Sequence, residues 1–145
     1  MQPLSGETVA RQIKGQCPQT LIEAGRRELV VDSRSWADVA ACLKSTPGFD
    51  FDYLASITAV DFPDYFEVVY MLTSLQHNHS LVVKVRLNNR ANPAIASVTS
   101  LWRGADLQER EIYDLMGITF EGHPNLERIV LWEGFAGYPL RKEFP

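Results

Sequence analysis

Cysteine is scarce in this chain. Cys17 and Cys42 are the only two, they stand far apart, and neither belongs to a CxxC pair or a Cys/His quartet. Without zinc or iron–sulfur ligand spacing, the chain is expected to hold no cluster of its own. The expectation for both is a reduced thiol packed near a helix end, which fits an intracellular setting. A basic surplus is lacking too: 14 Lys and Arg stand against 18 Asp and Glu, for a net charge of −4 and a pI near 5.3. Backbone phosphates are bound by clustered cations, so nucleic acid is not an expected partner. Long apolar runs are missing. The best uncharged stretch, Val68 to Val83, is broken by Thr73, Ser74, Gln76, His77, Asn78, His79 and Ser80, and a membrane helix needs about 20 apolar residues. The opening Met1-Gln2-Pro3-Leu4-Ser5-Gly6-Glu7 has no signal-peptide character. Contact with a membrane is therefore expected only through a partner. Internal repeats, a GxGxxG and any other Gly-rich phosphate loop are also absent from the sequence.

What remains is an ordinary composition: 145 residues, 46% hydrophobic and 22% charged. A chain of this size hides roughly 70% of its unfolded surface in one core. Val9 and Ile13, one turn apart with Pro18 beyond, predict a helix over 7–16. Thr20–Ala24 and Glu28–Asp32 are short strand candidates. Trp36, Val39, Ala40 and Leu43 mark a second helix, capped by Ser33 or Ser35 and ended by Pro47-Gly48. Asp52–Val60 and Glu67–Thr73 flank the turn sequence Asp61-Phe62-Pro63-Asp64, and Leu81, Val83, Val85 and Leu87 alternate with polar-facing positions. Asn92-Pro93 reads as a helix start, with Ile95, Val98 and Trp102 on one side. The fold class is α+β: a two-layer domain in α-β-β-α-β-β-β order with a mostly antiparallel sheet, followed by helices and an extended C-terminal arm.

The segment Gly104–Gly117 is the most informative. Asp106 can cap its start and Gly117 its end, and Leu101, Ala105, Ile112 and Met116 share one helical face. Glu109 lies on that face, where a carboxylate must be paired or protonated. Glu111 and Asp114 lie on another face, and Arg110 can reach Asp114 one turn on. Paired carboxylates are compatible with acid/base chemistry, a metal site or a proton relay. Against a metal, no Glu-x-x-His companion is present; against catalysis, no nucleophile stands nearby. The available mates are Arg128, Arg141 and Lys142, so these acids read as salt-bridge anchors that clamp the C-terminal arm or a neighbouring subunit. His77-Asn78-His79 reads as a solvated hairpin turn, and His123-Pro124 as a turn whose imidazole donates to a carboxylate.

Residues 117–145 carry Gly117, Gly122, Gly134, Gly137, Pro124, Pro139 and Pro145, with a strand expected only at Ile129–Trp132. They also carry Phe120, Trp132, Phe135, Tyr138 and Phe144. So aromatic a loop should not float in water. It either wraps its own domain or lies on another surface, since aromatics beside Arg are the composition of an interface core. The expected division is an α+β domain over 1–116, including the helix of Glu109-Arg110-Glu111, and an extended partner-binding arm over 117–145, frayed after Gly117 in the isolated chain.

Glu109-Arg110-Glu111, Asp114-Leu115-Met116-Gly117-Ile118, Phe120, Gly122-His123-Pro124, Leu126, Arg128-Ile129 and Gly137-Tyr138-Pro139-Leu140-Arg141-Lys142-Glu143-Phe144 resemble the C-subunit of bacterial NADH–quinone oxidoreductase, respiratory complex I. The plastid and cyanobacterial J-subunit and a subunit of membrane-bound hydrogenases are similar. Leu107, Met116 and Glu143 depart from the family, where Trp, Phe and Asp are common. The chain stops soon after Phe144 and is not fused to the D-subunit, as happens in some bacteria. The resemblance implies a non-catalytic peripheral-arm subunit of a complex passing electrons from NADH, or ferredoxin, to a quinone with proton translocation. It implies docking beside the D-subunit and the subunit carrying the last iron–sulfur cluster, with clusters, FMN and quinone held by partners and no cofactor in this chain. It also implies a position on the cytoplasmic side of the cell membrane, or at the thylakoid membrane in the photosynthetic variety. Glu109, Arg110, Glu111, Asp114, His123, Arg128, Arg141 and Lys142 are the signature positions, assigned to holding the arm and the inter-subunit contact. The rivals are the hydrogenase-complex homologue and a free-standing small acid/base enzyme using Glu109, Glu111 and His123.

Overall fold

A computed structural model describes residues 2–16, 22–24, 28–127 and 137–142. The chain runs β1 (Gln2–Pro3), α1 (Gly6–Gln16), β2 (Ile22–Ala24), β3 (Glu28–Asp32), α2 (Trp36–Ser45), β4 (Tyr53–Asp61), β5 (Phe66–Ser74), β6 (His79–Leu87), β7 (Ala94–Ala96), α3 (Ala105–Met116) and β8 (Thr119–Glu121). The main sheet has the order β2-β3-β6-β5-β4, with β1 also paired to β6. The β4–β5, β5–β6 and β2–β3 pairs are antiparallel, whereas β3 and β1 run parallel to β6. The fold is α+β, as the sequence predicts, with an antiparallel-dominated sheet.

Alternation explains how the layers close. Val68, Tyr70 and Leu72 of β5 and Leu81, Val83 and Val85 of β6 are all buried, and they face Val9 and Ile13 of α1 and Trp36, Val39 and Leu43 of α2 in one core. The Trp36 and Tyr70 rings meet at 4.5 Å between centroids, which ties the second helix to the central hairpin. α2 begins after a single 3-10 turn at Ser33–Ser35. The Asp32 carboxylate caps that 3-10 turn by accepting the Arg34 N–H (2.9 Å), whereas Ser35, the N-cap of α2, makes no side-chain capping bond. Cys42 is disulfide-bonded, which corrects the expectation of a reduced thiol; Cys17 lies outside the described residues.

The segment after Asn92-Pro93 departs from expectation. Ala94–Ala96 is a strand, not a helix, and pairs in parallel with β8, Ile95 opposite Phe120. Both of those side chains are buried. Pro93 contributes through its carbonyl, which accepts the Thr119 N–H (2.9 Å). Tertiary pairing overrides the local helix signal here, and a single helix, α3, follows. The ladder also carries the chain past Gly117, with Ile118 and Phe120 buried in the core. The expected strand at Ile129–Trp132 lies outside the described residues.

α3 is stopped by Gly117 at φ 74, whose N–H donates to the Tyr113 carbonyl (3.0 Å). A Cβ there would lie 2.7 Å from the Tyr138 ring and from Arg141 Nη2. Glycine is thus required both by left-handed backbone and by the close approach of residues 138–141. Gly117→Ala should lower stability by about 1–2 kcal/mol from the backbone alone and expose the amides of 140–142 to exchange. Denaturant unfolding and hydrogen exchange of the variant check this; unchanged values would contradict it.

Candidate functional site

The signature residues converge on α3 and the segments it touches. α3 lays Ala105, Ile112 and Met116 into the core, and Glu109 goes with them, completely excluded from solvent. Its carboxylate is met by the turn that follows β7: Oε1 accepts from the Ser97 hydroxyl (2.6 Å) and Oε2 from the Val98 N–H (2.9 Å). The Ser97 oxygen in turn accepts the Thr99 N–H (3.2 Å), and the Val98 carbonyl accepts from Leu101 and Trp102. The expected salt bridge to an arm cation is therefore corrected. Among the described residues, Glu109 is satisfied by a hydroxyl and a backbone amide and acts as a rivet between α3 and residues 97–99. The physical reason is burial: Ser97 and Val98 stand one strand away and are already desolvated with it. Desolvation raises the Glu109 pKa, the two hydrogen bonds and the nearby His123 oppose the rise, and Asp106 reinforces it.

His123 sits beside the start of the same helix, its side chain out of solvent. Its Nδ1 accepts the Asn125 N–H (2.9 Å), so the ring proton is on Nε2. Nε2 faces the Asp106 carbonyl (3.2 Å) and the Asp106 carboxylate (3.1 Å). The sequence reading expects donation to a carboxylate, whereas the hydrogen bond goes to the Asp106 carbonyl and the nearby Asp106 Oδ1 accepts none. Asp106 is thereby held by His123, and it does not cap α3, whose N-cap is Gly104 without a side-chain bond. Arg110 turns its Nε to the Glu127 carbonyl (3.4 Å), which ties the post-helix segment to α3. Asp114 is fully buried, and Glu111 is exposed at the helix surface. Arg128 lies outside the described residues.

Arg141 and Lys142 belong to a strap, residues 137–142, that lies across the end of α3. Arg141 Nε donates to the Met116 carbonyl (2.6 Å), one of the orphan acceptors of a helix C-terminus. Its guanidinium stacks over Phe66 (4.9 Å) and Tyr138 (4.8 Å). The Leu140 N–H donates to the Leu115 carbonyl (3.0 Å). Lys142 is bound through its backbone, whose N–H donates to Asp61 Oδ2 (2.9 Å), and its charge acts on the same carboxylate.

Asp61 is the member the sequence reading missed. It closes β4, is 5% exposed, and receives Arg90 Nη1 on its other oxygen (2.6 Å), while the same Arg90 nitrogen reaches the Phe62 carbonyl (2.7 Å). Burial pushes the Asp61 carboxyl upward, but the hydrogen bonds from Arg90 and from Lys142 N–H, aided by their charge, outweigh it and hold the group below the usual range. The sign follows. A depressed folded pKa contributes stability that is present above the unfolded value of about 3.9 and is lost as pH falls through the folded one.

The two histidines of the β5–β6 hairpin are only partly as expected. Residues 75–78 form the turn, and His77 Nε2 pairs with the Asp50 carboxylate (2.7 Å) at a half-exposed site. His79, in contrast, is buried at the start of β6, faces the Phe49 carbonyl (2.9 Å) and lies 5.0 Å from the Phe51 ring. Among the described residues, no group of three or more His, Cys, Asp or Glu is placed to share a metal ion, and no helix is long and apolar enough to cross a membrane.

Fold and site together define an α+β domain in which Glu109, Arg110, His123 and Arg141 bind the chain's own turns, helix ends and C-terminal strap. The chain belongs to the family of the respiratory-chain NADH dehydrogenase 30 Kd subunit, whose model matches residues 29–145. The NADH-quinone oxidoreductase C-subunit of Roseiflexus castenholzii is 38% identical over 149 aligned positions, covering 98% of this chain and 85% of the relative. The C-subunit of Moorella thermoacetica is 45% identical, over 80% of this chain and 78% of its own. The second C-subunit of Rhizobium meliloti is 47% identical over 71% of this chain, but only 57% of that relative is spanned. Among solved structures, the trypsin-resistant fragment (1–134) of Nqo5 superposes with a TM-score of 0.66 at 32% identity, over 83% of this chain and 98% of the fragment. A chain of the membrane-bound sulfane sulfur reductase, an archaeal respiratory membrane complex, superposes at 0.78 with 26% identity, over 97% of this chain and 85% of its own.

Replacing Glu109 separates its two roles. Glu109→Ala leaves the Val98 N–H and the Ser97 hydroxyl unsatisfied in the core and should cost about 2–4 kcal/mol. Glu109→Gln keeps the Val98 N–H bond through its amide oxygen and reverses the other, its NH2 donating to the Ser97 oxygen, so its cost should be smaller than that of the alanine. A raised folded pKa gives stability that is full below the ordinary 4.5 and lost as pH rises through the folded value. The Gln variant should therefore gain on the native chain across that window. Urea unfolding of the three proteins from pH 4 to 8 reads this out; a native-minus-Gln difference independent of pH would contradict it.

Proposed function

We propose that this chain is a non-catalytic peripheral-arm subunit of a proton-translocating NADH–quinone oxidoreductase, or of the ferredoxin-using variety, and that it braces the quinone module. The observation that carries the reading is the family match over residues 29–145. The site supports it. Of the three groups an acid/base enzyme would use, Glu109 and His123 are withdrawn from solvent and committed to Ser97, Val98, Asn125 and Asp106, and Glu111 alone is exposed. Two of the three thus fix geometry rather than face a substrate. The electron carriers, FMN, iron–sulfur clusters and quinone, belong to partner subunits in this reading, and the chain contributes no cofactor ligand. Its neighbours are the D-subunit and the subunit carrying the last iron–sulfur cluster, and it meets the cell membrane indirectly, on the cytoplasmic side.

The arm enters through the strap. Residues 137–142 are anchored on α3 and Asp61, and in this reading the anchored strap is part of the surface that meets a partner. A second reading, a homologous subunit of a membrane-bound hydrogenase-type complex, draws on the similarity to a chain of the sulfane sulfur reductase. The role is the same and the neighbours differ.

Arg141→Glu tests the proposal. A carboxylate in place of the guanidinium faces the Met116 carbonyl, an acceptor against an acceptor, and loses both ring contacts. The expected outcome is loss of most assembled complex and of membrane quinone reductase activity, with the chain itself still expressed. Wild-type complex yield by native gel, with normal quinone reduction, would contradict the bracing role. Purification of the chain as a monomer with turnover of its own would favour the enzyme rival.

A further inference from the structure

The strand path ends at β4, so among the described residues one edge of β4 has no neighbouring strand. Backbone groups alternate along an antiparallel strand, inward to the partner and outward to the free side. Ile57 points outward, because its N–H donates to the Gln108 side chain (2.7 Å). Ala59 follows two residues later, beyond the register shift at Leu54/Ser56, and so turns its N–H and C=O outward as well. Gln108 serves the first of these positions. Among the described residues, no hydrogen bond from outside the sheet reaches the second.

Beside this edge lies a groove of about 260 Å³, lined by Ile57, Thr58 and Ala59 on one wall and by Glu111, Ile112 and Leu115 on the other. Its length follows from two anchors. Gln108 meets Ile57 at one end, and at the other the strap joins Leu115 to Asp61 through Leu140 and Lys142. From Gln108 to Leu115, seven helical steps at about 1.5 Å give about 10–11 Å, and from Ile57 to Asp61, four strand steps at about 3.3 Å give about 13 Å, so α3 and β4 run side by side in the same direction. Leu140, itself 59% exposed, lines the far end. The groove thus offers an open main-chain edge, an aliphatic wall and one exposed carboxylate, Glu111, which has no ion-pair mate among the described residues.

We propose that this groove is a docking site for an extended segment of another polypeptide, added to the outer edge of β4 as a further strand. Main-chain bonds to Ala59 set its register. An aliphatic side chain enters against Ile112 and Leu115, and a basic side chain two residues away, on the same face of the added strand, pairs with Glu111. The charge selects a different polypeptide over a second copy: a copy paired through the same edge brings the same groove lining, which holds no cation to meet Glu111. Gln108 keeps part of the edge occupied in the free protein, one of the devices by which exposed edges avoid indiscriminate pairing. The inference stands apart from the identity of the larger assembly.

The test uses the full chain, labelled for NMR, and an acetylated and amidated Thr-Val-Thr-Lys-Thr peptide at millimolar concentration. The Ala59 amide should shift, and its exchange should slow on saturation. Binding should weaken as salt rises and fall about fivefold in Glu111→Gln, the loss of one partly exposed ion pair. Glu111 is on the surface, so the variant keeps its fold. A peptide N-methylated at its central residue should not bind. Absence of any shift at Ala59, binding that ignores Glu111→Gln, equal binding of the methylated peptide, or self-association of the chain through β4 would each overturn the proposal.

Discussion

A carboxylate taken out of water must be given partners, and this requirement organises the domain. Glu109 and Asp61 are both sealed from solvent, and each spends both oxygens on groups of its own chain. Glu109 joins α3 to the turn at residues 97–99, and that turn fixes the direction in which Trp102 enters the core, its Nε1 donating to the Phe51 carbonyl (2.8 Å). The Lys44 ammonium, reaching over from α2, donates to the Leu101 carbonyl in the same turn. Asp61 joins the end of β4 to Arg90 beyond β6 and to the strap at Lys142. With both in place, α3 is fixed at its middle by one acid and at its C-terminus by the strap that the other acid holds.

Much of this could be read in the sequence. Alternation in Leu81, Val83, Val85 and Leu87 and the turn residues Asp61-Phe62-Pro63-Asp64 located the central hairpins, because a half-wet strand leaves a period-two trace. Gly117 was legible as a C-cap for a similarly local reason. That Glu109 must be paired followed from its place on an apolar face, but its partners did not. Cations were the obvious mates by type, and the actual ones, Ser97 and the Val98 amide, carry no charge signal and come into reach only through the β7–β8 ladder. That ladder was invisible too: a three-residue strand is too short for periodicity, and Pro93 imitates a helix start. Asp61 read as a turn residue because its partners stand 29 and 81 positions away. His79 read as solvated because nothing local reveals the Phe49 carbonyl that receives it.

The arm shows the same division between composition and placement. Its aromatic and cationic content predicted a covered surface. For residues 118–120 and 137–142 the cover is the chain's own domain, through the β7–β8 ladder, the Phe66 ring and the end of α3. The strap shows why those residues are of those types. Arg141 is long enough to lie between Phe66 and Tyr138 while its Nε reaches a helix-terminal carbonyl, and Gly117 leaves the room in which it does so.

The central claim is that buried acids of this chain hold its own tail, so the strap is in place before any partner arrives. Amide exchange at Lys142 in the isolated full-length protein, compared with its Asp61→Asn variant, addresses it directly. The account predicts a protected Lys142 amide in the lone native chain at neutral pH, and its release in the variant while the β5–β6 ladder stays protected. Rapid exchange at Lys142 in the native chain, or protection that persists without the Asp61 carboxylate, would contradict it.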